Sequence, residues 1–481
     1  MRSPAGHFER NVGKVKRKRV KKTQMNKKRS AFSGKIGYVL SAAGASVGLG
    51  NIWRFPYLAA KYGGGIFLLV YIILALTFGY TMIVAESALG RMTRKSPVGA
   101  FRSFAKGKKV GWLSFGGWIN AIIPVLIVPY YSVIGGWVVK YLFEYIRGNG
   151  SKLAEDGYFS GFISNGGATE ICFVIFCMFT LVIIYAGVQN GIERVSKIMM
   201  PILIVLSVII AIYSVTRPGA IEGVKYFLVP NVKNFSWMTV VAAMGQMFYS
   251  LSIAMGILVT FGSYMRKDTS IEDSTRNVEI FDTAIAMMAG LMIIPAVFAF
   301  SGGDPDTLQA GPSLMFITIP KVFANMGFGT AVGILFFVLV LFAAVTSSIA
   351  LTESAVSTFE DELGWGRKKA TVLTGVIMIA LGTLSCLGYG PLDFVKIIGM
   401  QFLDFFDFLT NSVMMPIAAL MTSLLVSRVI GVDKIEEEIR HGESTFRRKK
   451  IFVVMIKYLC PIFALIILAS SVANAFGWIA M

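Results

Sequence analysis

Charge is what this sequence has least of. Asp, Glu, Lys and Arg make up 15% of its 481 residues, where a soluble chain carries about 25%. Histidine is nearly absent: His7 and His441 stand alone in polar stretches. The four cysteines, Cys172, Cys177, Cys386 and Cys460, sit in or beside apolar runs. Their spacing suits neither a metal ion nor a disulfide framework, and they read as packing residues. The apolar runs hold no nucleophile–base pair. Gly63-Gly-Gly65 lacks the Gly-Lys-Ser/Thr that completes a phosphate loop. An enzyme is therefore not expected, nor an organic cofactor.

Acidic residues are scarcer than basic ones, 27 against 46, for a net charge of +19. Such a balance suggests nucleic acid, but the placement of the charge argues against it. Lysine and arginine crowd into residues 14–22, 27–29, 91–109 and 428–450, whereas 148–167 and 301–321 hold few. With the N-terminus in the cytoplasm, the basic clusters all fall on one side of a membrane, which is the positive-inside asymmetry. Attraction to anionic lipid is a secondary role for them. Residues 1–30 have no apolar core and no cleavage site, so they are not a secretory leader. They read as a basic cytoplasmic tail ahead of a single transmembrane unit, 31–481.

What is abundant is apolar residue, 55% of the chain, gathered into runs such as 66–85, 171–186, 199–215, 332–350 and 451–469. Each approaches the ~20 residues that cross a bilayer as helix, and none alternates as a barrel strand would. The pattern predicts an all-α polytopic membrane protein of eleven helices, near 35–60, 66–91, 112–146, 168–187, 191–215, 236–265, 278–300, 328–362, 368–387, 393–427 and 450–476. The segment 302–325, with Pro305, Pro312 and Pro320, reads as short helices folded back on the outer face. An odd count places the C-terminus outside.

Two of these helices do not read as continuous. The first contains Gly44, Gly48, Gly50 and Asn51, then Arg54 and Pro56; the sixth contains Ser250-Leu-Ser252-Ile-Ala-Met-Gly256. Glycine destabilises a helix interior by roughly 0.5–1 kcal/mol, and buried polar groups cost more. Unwound backbone at membrane depth is tolerated only where it is buried or lines a cavity. Interruptions five helices apart fit an inverted 5+5 repeat, helices 1–5 and 6–10, with helix 11 peripheral. Close helix packing through Gly44 and Gly48 is the plainer alternative.

The residues that carry these breaks resemble a known family. Ser46-Val-Gly-Leu-Gly-Asn-Ile-Trp-Arg-Phe-Pro56 and Lys61-Tyr-Gly-Gly-Gly-Ile-Phe67 are similar to the first helix and loop of the neurotransmitter:sodium symporters. Gly245-Gln-Met-Phe-Tyr-Ser-Leu-Ser252, Ser263-Tyr-Met-Arg-Lys-Asp268, Phe342-Ala-Ala-Val-Thr-Ser-Ser348, Phe359-Glu-Asp-Glu-Leu363 and Phe402-Leu-Asp-Phe-Phe-Asp407 extend the likeness over roughly residues 29 to 475. Within that family the sequence resembles the eleven-helix prokaryotic amino-acid transporters.

The resemblance implies a site, residue by residue. A first sodium would be held by Ser46, Asn51, Ser250 and Asp282. A second would be held by Gly44, Val47, Ala343, Thr346 and Ser347. The substrate carboxylate would meet Gly48, Gly50 and Tyr131, beside Ser46 and Ser250. Ile127, Tyr249, Ser252, Met255, Ser347 and Leu351 would line the side-chain pocket. Glycine at 48, where monoamine carriers hold aspartate, implies a substrate that brings its own carboxylate. Asp282 would supply the charge that some relatives take from chloride, implying chloride-independent transport. Arg54 with Asp407 would gate the outer side, over the aromatic lid of Tyr131 and Tyr249. Arg29 with Asp361, near Tyr264, would gate the inner. Gly191 and Pro201 resemble a motif at which helix five unwinds.

The plainer readings are a solvated Asp282 at a helix end, Thr346 bonding back to the previous turn, and a simple kink at Pro201. The function expected is Na⁺-driven import of a neutral, hydrophobic or aromatic amino acid by a monomer or weak homodimer in the cell membrane. A sodium-dependent amino-acid sensor on the same scaffold is the alternative.

Overall fold

The computed structural model describes residues 29–105, 107, 111–302 and 311–478. The basic runs at 14–22 and 27–28 and Pro305 lie outside the described residues. The first crossing is split. Helix α1 (Lys35–Ser46) stops at Val47, and a wide turn, Gly50–Arg54, leads into α2 (Phe55–Lys61). Then come α3 (Gly65–Thr93), the short α4 (Pro97–Ala105), α5 (Gly111–Ile146), α6 (Gly166–Tyr185), α7 (Val188–Val215) and the short α8 (Ala220–Leu228). The sixth crossing is split again, into α9 (Trp237–Ser250) and α10 (Ile257–Tyr264). After it follow α11 (Ile271–Ser301), the short α12 (Leu314–Ala324), α13 (Gly329–Leu363), α14 (Arg367–Leu387) and α15 (Phe402–Ile430). The chain ends with the short α16 (Val432–Arg440) and then α17 (Lys449–Ala475).

Among the described residues, nine continuous helices are long and apolar enough to cross a membrane. With the two interrupted ones they give the eleven-helix, 5+5 inverted-repeat architecture. The third crossing of each half, α5 and α13, pack on each other at the centre of the bundle.

Two boundaries differ from expectation. The seventh crossing starts at Ile271 rather than 278. Its first turns are polar but helical, because Ser270 accepts a hydrogen bond from the Asp273 amide and Glu272 and Asp273 complement the helix dipole. The tenth crossing starts at Phe402 rather than 393. Residues 393–401 form turns, with Ile398 and Gly399 in the left-handed region. Hydropathy does not register either feature, since capped polar turns can be helical and apolar residues can lie in loops. Helix five is not unwound between Gly191 and Pro201. It has a wide turn at Val188–Glu193 and then continues as helix through Pro201.

Glycine permits the closest packing in the bundle. A methyl group on Gly90 of α3 would lie 2.0 Å from the Val259 carbonyl oxygen of α10, and one on Gly262 would lie 2.5 Å from the Ser87 carbonyl oxygen. The two backbones therefore touch. Gly90→Ala is expected to force them apart and to destabilise the protein by about 1–3 kcal/mol, the usual cost of overpacking. A lower unfolding midpoint in detergent checks this; an unchanged midpoint rejects the contact.

Candidate functional site

The two breaks face each other and expose backbone groups that continuous helices would have paired. Val47 is extended (φ −76°, ψ 93°), ending α1. Across from it, Ser252 and Ala254 adopt left-handed conformations (φ 53° and 60°) before Gly256 (φ 71°) starts α10. Such angles cost a non-glycine residue roughly 1–2 kcal/mol, so the segment needs anchors. Glu86, fully buried on α3, accepts the Ala254 amide at 2.8 Å, and the Ser252 hydroxyl donates to the Ala45 carbonyl at 3.0 Å. Gln246 Nε2 donates to the Gly50 carbonyl at 2.9 Å. The freed groups are thus met by side chains from other crossings, as burial away from water requires.

A narrow hollow lies between the breaks. Its wall contains all eleven residues expected of the substrate pocket: Ser46, Gly48, Gly50, Ile127, Tyr131, Tyr249, Ser250, Ser252, Met255, Ser347 and Leu351. Ala45, Leu49 and Asn51 complete it, and no lining side chain is charged. The glycines are required by proximity. A methyl group on Gly48 would sit 2.5 Å from Ser347 Oγ, and one on Gly50 would sit 2.5 Å from the Tyr249 ring. Tyr131 Oη accepts the Leu49 amide at 3.3 Å.

Beside the hollow sits the carboxylate of Asp282, fully buried within α11. The alternative of a solvated helix end is thereby excluded. Asp282 Oδ1 accepts from Asn51 Nδ2 at 2.8 Å and from Ser250 Oγ at 2.7 Å. Its Oδ2 accepts from Tyr71 Oη at 2.7 Å. Asn51 Nδ2 also reaches Ser250 Oγ at 2.9 Å, and Asn51 Oδ1 accepts the Gly48 amide at 3.1 Å. Asn51, Ser250 and Asp282 thus form one connected cluster, with Ser46 on the adjoining wall. Oxygens in such a set suit a hard cation.

Members of the second expected set meet where α13 packs on the end of α1. Ser347 Oγ lies 3.3 Å from the Gly44 carbonyl oxygen, 3.1 Å from that of Ala45 and 3.4 Å from that of Val47. Thr346 Oγ1 bonds back to Phe342 and Ala343 at 3.0 and 3.2 Å, as the plainer reading anticipates. The same side chain abuts Gly44, where an added methyl would lie 3.2 Å from Thr346 Cβ.

The two expected gates differ. Arg29 pairs with Asp361 at 2.6 Å, donates to Ser263 and Ser357, and lies over the Tyr264 ring at 4.9 Å. Arg54 and Asp407 form no ion pair in this structure. Arg54 lies over the Tyr249 ring at 5.4 Å, and Asp407 accepts from Tyr130 Oη at 3.1 Å and from Asn411 at 2.6 Å. An ion pair thus links the crossings at the Arg29 end, and a guanidinium–ring contact lies at the Arg54 end.

Sequence reasoning missed Tyr71, Glu86, Tyr130, Gln246 and Glu353. Glu353 is buried, accepts from Tyr264 Oη at 2.7 Å and pairs with Arg367 at 2.5 Å. Glu86 and Glu353 carried a signal, a lone carboxylate within an apolar run. The tyrosines and Gln246 carried none, because their helices place them at a site far away in sequence.

Two broken helices crossing over a polar hollow define the discontinuous-helix class of secondary transporter. Comparison with known proteins specifies it further. The family model described as the sodium:neurotransmitter symporter family matches residues 29–151 and 158–477. The uncharacterized sodium-dependent transporter YhdH of Bacillus subtilis is 36% identical over 86% of this chain and 91% of its own. The human sodium- and chloride-dependent GABA transporter 2 is 26% identical over 85% of this chain and 75% of its own. The crystal structure of MhsT in complex with L-phenylalanine superposes with a TM-score of 0.82 at 36% identity, covering 92% of this chain and 100% of that one. The chain belongs to the sodium:neurotransmitter symporter family.

Tyr71→Phe leaves Asp282 Oδ2 buried without a donor. It is expected to cost about 1–3 kcal/mol, the usual penalty for an unpaired buried acceptor. Unfolding in Na⁺-free buffer measures it, and a wild-type midpoint would mean that the hydrogen bond contributes nothing.

Proposed function

We propose that the protein carries a neutral, hydrophobic or aromatic amino acid together with Na⁺ into the cell, independently of chloride. The observation that carries this reading is the hollow: polar backbone at one wall, apolar side chains at the other, and no charged lining side chain. A charged substrate side chain would be buried there unpaired, at a cost of several kcal/mol. An amino acid's carboxylate suits the Gly48–Gly50 turn, where the Gly48 and Leu49 amides are held only by the Asn51 and Tyr131 side chains and could turn to it, and where a bound cation would neutralise it. The pocket end bearing Ile127, Tyr249, Met255 and Leu351 suits an apolar side chain, and Met255 can adapt to a large one. MhsT, with L-phenylalanine bound, is a relative consistent with this assignment.

Two sodium ions are co-transported in this reading. The first takes Ser46, Asn51, Ser250 and Asp282; the second takes Gly44, Val47, Ala343, Thr346 and Ser347. Asp282 supplies a fixed negative charge among otherwise neutral ligands, so no anion is needed. Its present donors, Asn51 Nδ2 and Ser250 Oγ, would turn oxygen lone pairs to the ion. The N-terminus is cytoplasmic and the C-terminus extracellular, by the distribution of basic residues. The Arg29–Asp361 pair then bars the cytoplasmic side. Na⁺ and substrate shift the balance of states only by their difference in affinity between them, so the pair must break late in the cycle.

Uptake of radiolabelled phenylalanine and leucine into proteoliposomes tests the proposal. Uptake is expected to follow an inward Na⁺ gradient and to persist when gluconate replaces chloride. Binding without accumulation would assign a sensor instead. Asp282→Ala is expected to reduce Na⁺-dependent uptake to background, and Gly48→Asp to abolish amino-acid binding. Unaltered affinity in Gly48→Asp would place the carboxylate elsewhere. Asp361→Ala removes the cytoplasmic latch, and a cysteine probe in the inner half of α1 is expected to label faster as a result.

A further inference from the structure

A second hollow opens on the outside of the bundle between α3, α11 and the start of α17, away from the central site. Its walls and its mouth differ in chemistry. Ile72 and Leu76 of α3 face Ile280, Ala284 and Met287 of α11, forming an apolar trough. Leu76 and Ile280 are about half exposed, so the trough opens sideways into the hydrocarbon phase. Arg276, Glu279 and Arg448 stand at one end.

The depth of that end follows from helix length. Helix α11 has 31 residues, about 46 Å at 1.5 Å per residue, against a hydrocarbon core of about 30 Å. The surplus of about 16 Å, shared between its two ends, brings the first turn and a half, as far as about Arg276, to headgroup level, with Glu279 one turn below. Arg448 directly precedes α17, at the same level. From Glu279 to Met287 the trough descends about 12 Å along the helix, into the acyl region.

The mouth is built from fixed groups. Arg448 lies 4.7 Å over the Tyr80 ring and pairs with Glu279 Oε2 at 3.3 Å, and its amide donates to Glu272 at 3.1 Å. Glu279 is 2% exposed, yet its Oε1 has no hydrogen-bond partner among the described residues. A buried acceptor in that state favours a donor from outside the chain. The lining itself holds two guanidinium groups against one carboxylate, one positive charge; Glu272, behind it, is buried with its oxygens taken by the Tyr80 hydroxyl and the Arg447 and Arg448 amides. We infer that this trough binds one anionic phospholipid with a hydroxylated headgroup, of the phosphatidylglycerol class. The phosphodiester would sit between Arg276 and Arg448, a headgroup hydroxyl would donate to Glu279 Oε1, and an acyl chain would lie along Ile280, Ala284 and Met287. A phosphatidylethanolamine headgroup fits less well, because its ammonium leaves the excess positive charge in place. The site is independent of the transport assignment and requires only that the chain span a membrane.

Native mass spectrometry of the full chain, released from detergent doped in turn with phosphatidylglycerol, phosphatidylethanolamine and phosphatidylcholine, tests the inference. One phosphatidylglycerol is expected to be retained in preference to the other two. Arg276 is exposed, and Arg276→Gln is expected to lower that retention about fivefold, the effect of one cation at a membrane surface. Ala284→Phe fills the trough and is expected to lower it as well. Arg447→Gln, at the same level but outside the trough, is expected to leave it unchanged. Equal retention of all three lipids, preference for phosphatidylethanolamine, or wild-type retention in Arg276→Gln would each overturn the assignment. So would a dimer signal that Ala284→Phe removes while lipid adducts persist. Arg276→Gln decides the matter if Ala284→Phe does not fold.

Discussion

Every peptide group placed at membrane depth must find a hydrogen-bond partner within the protein, and this molecule is organised around two places where the helix does not supply one. At Val47–Leu49 and at Leu251–Met255 the ladder stops. The interruption is sustained by side chains brought from other crossings: Gln246 to the Gly50 carbonyl, Glu86 to the Ala254 amide, Tyr131 to the Leu49 amide, Ser252 to the Ala45 carbonyl. Each bond is also a constraint on position, because its two ends come from crossings far apart in the chain. The hollow between the breaks is shaped by the same bonds that make the breaks tolerable.

That principle explains what could be read in advance. Gly44, Gly48, Gly50 and Asn51 in an apolar run conflict with continuous helix on local grounds, and the structure breaks there. Asp282 announced itself in the same way, as a charge without a local partner. Among its actual partners, Ser250 and Tyr71 were different cases. Ser250 belonged to a recognisable motif, whereas Tyr71 looked like any aromatic residue in a membrane helix. Spacing along one helix says which face a residue occupies but not which distant helix meets it. Residues 393–401 illustrate the opposite failure, an apolar stretch whose turn geometry hydropathy does not encode.

The charged residues at the two ends of the bundle follow a consistent pattern. Arg29, Asp361, Tyr264, Glu353 and Arg367 form one network at one end. At the other end Arg54 and Asp407 are each held by aromatic or amide neighbours rather than by each other. Both arrangements keep desolvated charge compensated, but by different means. Parting Arg367 from the fully buried Glu353 would strand a carboxylate and is costly, whereas a guanidinium over a ring is held by about 0.5–2 kcal/mol. The asymmetry in what holds the two ends is therefore an asymmetry in how readily each yields.

The contact between Gly90 and Val259 has a mechanical consequence. Backbones that touch without intervening side chains have no cushion to shear, so α3 and α10 form a single stiff beam. The eight residues of α10 cannot swing by themselves. Any displacement between the two halves of the sixth crossing is thus concentrated in residues 251–256, which serve as the universal joint of the fold.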